Sequence, residues 1–205
     1  MTDNDRQTED KIFESATEVF VEKGMDGARM KDIADRAGIN KALLHYYFRS
    51  KEHLFSAVFE KIAFKMFSKF APVFDEGLTL EEKIGFFFRE HISFLQKNPG
   101  LPAFLLNEIN RHPERIRNLL RNIDLTKIWQ MLFLQHKEEL SKYDITPESF
   151  PQVMTTIVAI SVFPFAARGI LEGFLDKLEI DFDDFLEQRK SFAAGFVIKG
   201  ISKGA

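Results

Sequence analysis

Apolar residues recur at helical spacing through almost the whole chain, and this periodicity is the feature that most constrains the fold. Near the N terminus, positions i, i+1, i+4, i+7 and i+8 of one helix face are occupied by Ile12, Phe13, Ala16, Val19 and Phe20. The sequence lacks the sustained apolar–polar alternation of strands, and it lacks Asn-Gly or Asp-Gly hairpin turns between strand-like runs. The periodicity therefore predicts an all-α protein.

Between Gly24 and Leu54 the pattern divides into two short helices joined by a tight turn. The turn is Ala37-Gly38-Ile39-Asn40, in which the glycine can adopt positive φ and Asn40 can cap the second helix. The second helix is expected to bury Leu43, Leu44, Tyr47 and Phe48. Its outer, N-terminal surface then carries Lys41, Ala42, His45 and Tyr46. This arrangement is typical of a helix-turn-helix, whose second helix presents its N-terminal half to base edges in the DNA major groove.

Charge is distributed unevenly along the chain. The 28 Lys and Arg against 31 Asp and Glu give a formal net charge of −3, which argues against a generally basic nucleic-acid-binding protein. Residues 29–51, however, contain six cations and two anions, a net charge of +4, so the rest of the chain carries −7. A small positive face on an acidic body favours contact with a polyanion. The alternative is that these cations form only a solvated surface.

The segment GMDGARMKDIADRAGINKALLHYYFRSKEHLF carries a specific motif. The positions in register are Ile33-Ala34, Ala37-Gly38, Leu44, Tyr47-Phe48 and Ser50-Lys51-Glu52 with Leu54. On these residues, about the first quarter of the chain resembles the DNA-binding region of TetR-type (TetR/AcrR) transcriptional regulators. The resemblance implies a three-helix helix-turn-helix domain at residues 1–52, followed by a helical effector-binding and dimerisation domain at residues 53–205.

The resemblance also implies roles for single residues. The base-reading positions are Lys31, Lys41, Ala42 and Tyr46. The phosphate contacts are Arg29, Asn40, His45, Tyr47 and Lys51. The chain departs from the family pattern at Ala28-Arg29, where Thr or Ser is usual, at Ala42, where Gly is frequent, and at His45, where Tyr is most frequent. A histidine at position 45 is expected to make a weaker and pH-sensitive phosphate contact.

The later helices are delimited by local signals. Thr79 followed by Glu82 predicts a capping box at a helix start. One long helix is predicted from Pro113 to Tyr143, and the final helix from about Asp181 to Lys199. Pro164 is expected to kink or break the helix that contains it, because proline removes a backbone donor.

A homodimer is expected on double-stranded operator DNA, because one helix-turn-helix reads too few base pairs to be specific. The last two helices combine small residues, which allow close approach, with aromatic ones. The candidate interface is Ala166, Gly169, Gly173, Phe192, Gly195 and Phe196. In TetR-like proteins these two helices pair with those of a second subunit as a four-helix bundle. The alternative is that the small residues pack within one chain.

The middle helices are rich in phenylalanine, which is cheap to bury and forms no hydrogen bond. By family analogy such residues line an effector cavity, with a few polar groups to orient a small apolar or aromatic ligand. The candidate residues are Phe87, His91, Phe104, Asn107, Trp129, Phe133 and Phe163. The alternative is that these side chains are ordinary core packing.

Catalysis has little support in the sequence. The absence of cysteine excludes disulfides, thiolate metal sites and cysteine nucleophiles. The five histidines lack metal-ligand spacing, and neither a Gly-rich phosphate loop nor a nucleophile elbow is present. No catalytic residue, metal or cofactor is therefore predicted. The polar start and the absence of an apolar run of roughly 20 residues predict a cytoplasmic protein with no membrane span.

Taken together, the sequence predicts a ligand-responsive DNA-binding regulator. The specific interpretation is a repressor that a small apolar or aromatic effector releases from its operator. The alternative is a helical small-molecule carrier or enzyme with a vestigial DNA-binding head.

Overall fold

The computed structural model describes residues 3–69, 77–120 and 125–202, and its regular elements in these ranges are all helical. The helices are α1 Asp3–Gly27, α2 Met30–Ala37, α3 Lys41–Tyr47, α4 Lys51–Lys69, α5 Leu80–Gln96, α6 Leu101–Arg111, α7 Pro113–Leu120, α8 Leu125–Gln135, α9 Lys137–Ser141, α10 Phe150–Ala166, α11 Arg168–Leu175 and α12 Phe182–Ser202. A short 3-10 turn, Asp176–Leu178, follows α11. The prediction of an all-α protein is confirmed for this part of the chain.

The chain divides into two compact units. The first consists of Met1–Lys65 and Ala103–Asn122, and the second of Met66–Pro102 and Ile123–Ala205. Both α4 and α6 therefore contain residues of each unit. The functional division between residues 52 and 53 stays a prediction.

The first unit is built on the apolar face of α1. This face is completely or almost completely buried and consists of Ile12, Ala16, Val19 and Phe20. Helix α1 packs against α2, and α2 packs against α3. The ring of Phe20 meets Phe55 of α4 edge-on with centroids 5.2 Å apart, and the ring of Phe13 meets Phe48 in the same way at 5.5 Å. These two ring contacts hold α4 and the C-terminal end of α3 against α1.

Helix α1 is kinked at Gly24, whose φ of 67° and ψ of 170° favour glycine. The kink leaves the backbone amide of Met25 to be satisfied from elsewhere. It donates a 3.2 Å hydrogen bond to Oε1 of Glu108, a residue of α6 that is only 2% exposed. Nearby, Nε2 of His112 lies 2.8 Å from Oδ2 of Asp26. Within the first unit, α6 and the residue that follows it are thus tied to the end of α1.

In the second unit α12 packs against α5 and α10. The capping box predicted at the start of α5 is present. The amide of Glu82 donates to Oγ1 of Thr79 at 3.2 Å, and the amide of Thr79 donates to Oε2 of Glu82 at 2.8 Å. The hydroxyl of Thr79 donates to the same carboxylate oxygen at 2.9 Å, and the bonds from the Thr79 amide and hydroxyl lower the pKa of the Glu82 carboxyl, because both favour its charged form.

The predicted break near Pro164 is also present. Helix α10 ends two residues after the proline, and the following helical segment, Arg168–Leu178, turns away by 72°. Pro164 has no amide proton for the carbonyl of Ile160 four residues earlier. The guanidinium of Arg189 on α12 replaces it, with Nε and Nη2 donating to that carbonyl at 3.3 and 3.1 Å. In the described residues no single helix has the length and apolar composition of a membrane span, although this bent pair passes that test when its halves are joined.

The prediction of one continuous helix from Pro113 to Tyr143 is wrong. The described residues form α7, α8 and α9 instead, and residues 121–124 lie outside the described ranges. The chain leaves helical geometry at His136, where φ is −112° and ψ is 19°. A new helix, α9, begins at Lys137. The helix therefore breaks at His136, whose imidazole is buried.

Candidate nucleic-acid interface

The turn between α2 and α3 has the geometry that the sequence predicts. Gly38 adopts φ 67° and ψ 30°, and its amide donates to the end of α2. The amide of Ile39 donates to the carbonyl of Ala34 at 3.0 Å. Asn40 then caps α3, since its Oδ1 accepts the amide of Leu43 at 2.7 Å. Local side-chain and backbone bonds therefore fix both sides of the turn.

The inner face of α3 anchors it to the first unit. Leu44 is fully buried, and Phe48 packs against the ring of Phe13. Tyr47 is half-buried, and its hydroxyl donates to Oδ1 of Asp5 at 3.3 Å. Burial and the carboxylate of Asp5 together raise the pKa of Tyr47. The expectation that Leu43 is buried is wrong, because its side chain is 36% exposed.

The outer face of α3 carries the candidate base-reading side chains. The exposed residues are Lys41, Ala42, His45 and Tyr46. Tyr46 has 81% of its surface exposed, and its ring meets that of Tyr47 edge-on with centroids 5.6 Å apart. A cationic, a small, an imidazole and an aromatic side chain thus share one accessible helix surface.

The N-terminal end of α2, which precedes α3 in the sequence, carries two further candidate DNA contacts, Arg29 and Lys31. Arg29 is exposed and occupies the N-cap position with extended backbone and no side-chain cap bond. Lys31 is exposed as well, and its ammonium lies 3.7 Å from Oδ2 of Asp35 one turn later. Such an exposed pair contributes little to stability, which leaves Lys31 available to another anion.

Two cations counted toward the positive face have partners inside the first unit. The guanidinium of Arg36 donates to both oxygens of Glu22 on α1 at 2.8 and 2.9 Å, and this pairing lowers the pKa of Glu22. The ammonium of Lys51 donates to the carbonyls of Asp26 and Ala28 at 3.2 and 3.1 Å. Arg36 therefore links α2 to α1, and Lys51 holds the segment between α1 and α2.

The sequence-predicted effector residues occupy varied environments. Phe104 is buried against Phe55 in the first unit, and Asn107 of the same unit is exposed. In the second unit Phe133 packs on Phe150, while Phe163 is exposed. The side chain of Trp129 lies outside the described residues.

His91 is buried in the second unit and has a defined partner. Its Nδ1 lies 2.8 Å from Oγ of Ser161, whose hydroxyl donates to the carbonyl of Val158. The serine oxygen therefore accepts, and the His91 proton is on Nδ1. Burial lowers the pKa of His91 to about 4, so the imidazole is neutral near pH 7.

The second unit contains a cavity of about 60 Å³, and Phe87 is the sequence-predicted residue that lines it. Two nitrogen-bearing side chains that the sequence analysis overlooked also line it, Lys83 and His136. The available signal was the position of Lys83 on the apolar face formed by Leu80, Ile84 and Phe87, where an aliphatic residue is the usual choice. In the described ranges no three His, Asp or Glu side chains lie close enough together to hold a metal ion.

The candidate dimer residues lie on helices with an exposed apolar surface. Phe192 and Phe196 are both exposed and stack with centroids 6.2 Å apart, and Ala166 is exposed. A side chain added at Gly169, Gly173 or Gly195 would meet no atom within 4 Å in the described residues. Sequence reasoning missed Ile170 and Phe174 on α11, which are 79% and 58% exposed.

Comparison with known proteins relates this chain to one family of regulators. A family model of the bacterial regulatory proteins of the tetR family matches residues 12–58. The Bacillus subtilis (strain 168) protein named "Probable HTH-type transcriptional regulator YttP" is 26% identical over 164 residues, which are 77% of this chain and 77% of that protein. IcaR of Staphylococcus epidermidis, a negative transcriptional regulator of the biofilm operon icaADBC, is 28% identical over 121 residues. That alignment covers 55% of this chain and 65% of IcaR, just under two thirds of its length.

The overall fold has counterparts among solved structures. A TetR-like transcriptional regulator from Rhodococcus sp. RHA1 matches with a TM-score of 0.63 over 91% of this chain and 93% of that one. The two sequences are 19% identical, so this likeness concerns the fold alone.

Proposed function

We propose that this chain, a member of the TetR family of bacterial regulatory proteins, is a homodimeric transcriptional repressor that a small apolar or aromatic effector releases from operator DNA. The assignment to this family rests on the match over residues 12–58, which runs from within α1 through α2 and α3 into the first half of α4. Both relatives are named as transcriptional regulators, YttP as a probable one and IcaR as a negative one.

The observation that carries the DNA-binding proposal is the exposed face of α3. Its N-terminal half is the part of a recognition helix that reaches base edges. Lys41 can donate to guanine acceptors, while Ala42 and the ring of Tyr46 can contact a thymine methyl group. Lys31 reaches the same duplex from α2. We assign these four residues to base reading.

The phosphate contacts are assigned to residues around this face. Arg29 and His45 are exposed donors, and Asn40 and Tyr47 stand at the two ends of α3. Lys51 already donates to two carbonyls, but an ammonium has three protons, so one remains for a phosphate oxygen. In this assignment Lys51 both holds the segment before α2 and touches DNA.

The dimer proposal rests on the apolar surface of the second unit. Large side chains that are well exposed on α11 and α12 include Ile170, Phe174, Phe192 and Phe196. Exposed apolar side chains of this size on two helices that pack against each other favour a protein interface, because isolated monomers rarely expose large apolar patches. Ala166, Gly169, Gly173 and Gly195 would allow the helices of a partner to approach closely.

Effector control requires that the second unit influence the first. Helices α4 and α6 each contain residues of both units, so a shift in either is the proposed route. Release would follow if the effector favours a conformation in which the two recognition helices no longer match half-sites about 34–36 Å apart.

The proposal is tested by electrophoretic mobility shift on the DNA that flanks the chain's own gene. Lys41→Ala and Tyr46→Ala should each weaken specific binding roughly 5- to 150-fold, which corresponds to about 1–3 kcal/mol for a base contact. Lys97→Ala is the matched control, because this exposed lysine belongs to the second unit and its loss should leave binding unchanged. Wild-type affinity should also fall steeply with salt.

Two results would contradict parts of this proposal. If the protein shows no DNA binding that depends on both salt and sequence, the DNA-binding proposal fails, and a helical small-molecule carrier or enzyme becomes the better interpretation. If a saturating effector leaves operator affinity unchanged, the release mechanism fails while DNA binding stands.

A further inference from the structure

The cavity in the second unit has an unusual lining. Its volume of about 60 Å³ has room for roughly four water-sized groups. Lys83 and His136 are the two nitrogen-bearing side chains among its lining residues, and the other lining side chains are all apolar, among them Ile84, Leu140 and Ile157. No acidic side chain lines the cavity in the part of the chain that the structure describes.

Lys83 is buried at a position that helix periodicity assigns to the core. It is 3% exposed and lies on α5 between Leu80 and Phe87, both of which line the same cavity. A lysine is among the residues least often buried to this extent, because its charge loses hydration. Its presence at a core position therefore suggests a role that an aliphatic side chain could not fill.

His136 provides the second, independent observation. It is 5% exposed, and its Nδ1 lies 3.5 Å from Oε1 of Glu139. The other ring nitrogen, Nε2, is buried and forms no hydrogen bond with any described residue. A buried nitrogen without a hydrogen bond costs free energy, so a ligand atom at this point would remove that cost.

The two groups act on each other electrostatically. Burial, and after it the positive charge of Lys83, lowers the pKa of His136. Glu139 opposes this effect, but its Oε2 accepts the amide of Leu80 at 2.7 Å and the residue does not line the cavity. A negative group placed between Lys83 and His136 would be attracted by the ammonium. It would also favour protonation of the imidazole, which makes Nε2 a donor.

We propose that this cavity binds a short-chain monocarboxylate of about four or five non-hydrogen atoms, with its carboxylate between Lys83 Nζ and His136 Nε2 and its short aliphatic group against Ile84, Leu140 and Ile157. The inference rests on the proposed function, because the carboxylate would be the effector. It adds a chemical class: the ligand is an organic anion rather than a neutral apolar molecule.

Isothermal titration calorimetry of the full chain without DNA tests the charge requirement directly. Acetate and propionate should bind, and acetamide and propionamide, which have the same shape without the charge, should bind at least about tenfold more weakly. Equal binding of acid and amide, or no binding of either acid, overturns the proposal. This comparison uses only the wild-type protein.

Variants locate the site. Lys83→Met and His136→Phe should each weaken propionate binding by about tenfold or more, because each removes a donor to the carboxylate. Lys137→Met is the matched control, since it removes an exposed lysine next to His136 and should leave the affinity within about twofold. Unchanged binding by a folded Lys83→Met protein, judged by circular dichroism, overturns the assignment.

The outcome is separable from that of the proposed function. Carboxylate binding without operator release supports the site and contradicts its role as the effector site. Operator release by neutral compounds, with no preference for carboxylates in the calorimeter, contradicts the site and leaves the regulator intact.

Discussion

The pH dependence of stability is set in part by His91. Its imidazole is buried, and its pKa is lowered to about 4, whereas the unfolded chain has an ordinary value near 6.5. Between these values the unfolded state binds a proton that the native state does not. The contribution of His91 is therefore fully present above about pH 6.5 and declines as pH falls toward 4, by about 3 kcal/mol in total.

Urea unfolding at fixed protein concentration between pH 7 and pH 4.5 measures this decline. His91→Gln keeps a donor for Ser161 but cannot titrate, so its stability should fall less steeply over the same range. A residual slope is expected in both proteins, because the pKa of His136 is lowered too. Identical slopes for wild type and His91→Gln would show that His91 does not cause the dependence.

Charges illustrate what sequence reasoning can and cannot assign to a residue. The exposed cations of α2 and α3 follow from helix periodicity, since the inner face is apolar. The partners of Arg36 and Lys51 do not, because they lie 14 and 23–25 residues away in sequence. Counting charges over residues 29–51 therefore included two cations whose protons already stabilise the first unit.

At the scale of whole elements, Pro164 and Arg189 act as a pair. The proline deprives the carbonyl of Ile160 of its helical donor, and the guanidinium of Arg189 supplies another from α12. Burial lowers the pKa of Arg189 from its ordinary range, which reflects the hydration that the side chain gives up in this position. The contact joins α12 to α10 at Ile160, four residues before the proline.

We expect Arg189→Met to lower the free energy of unfolding by about 1–3 kcal/mol, because it leaves a carbonyl without its donor. In a Pro164→Ala background residue 164 has an amide proton for Ile160, so the same change should cost less. A double-mutant cycle of four proteins measures the coupling, which should reach about 1 kcal/mol. Arg111→Met removes an exposed arginine of the first unit and serves as the control. Additive effects of the two substitutions would contradict this pairing.

The elements differ in how well the sequence predicts them. The α2–α3 turn and the start of α5 are encoded within four or five neighbouring residues, by Gly38 with Asn40 and by Thr79 with Glu82. No glycine or proline lies near His136 to predict the helix break there. It accompanies the burial of the imidazole beside Glu139, which is a tertiary feature. The cavity that this break helps to line could not be predicted from local patterns for the same reason.

At the scale of the whole molecule, the uneven charge and the exposed phenylalanines suit different proposed partners. A positive α2–α3 region in a chain with negative net charge favours association with DNA at one face while the remainder stays acidic. The apolar surface of α11 and α12 has no such use. It is best explained by a second copy of the chain, because two copies related by a twofold axis bury identical patches against each other.

The double substitution Phe192→Glu with Phe196→Glu tests this explanation. Both rings are exposed within one chain, so the fold should persist, whereas two carboxylates per subunit at a buried apolar interface should separate the subunits. In sedimentation equilibrium the wild type should have twice the protomer mass and the variant the protomer mass. The variant should also lose most of its operator affinity, because each half-site is then bound independently.

Phe64→Glu is the control, since Phe64 is a well-exposed phenylalanine of the first unit and its replacement should leave the dimer intact. A wild-type monomer, or a variant that remains dimeric, would place the interface elsewhere and require another role for the exposed rings.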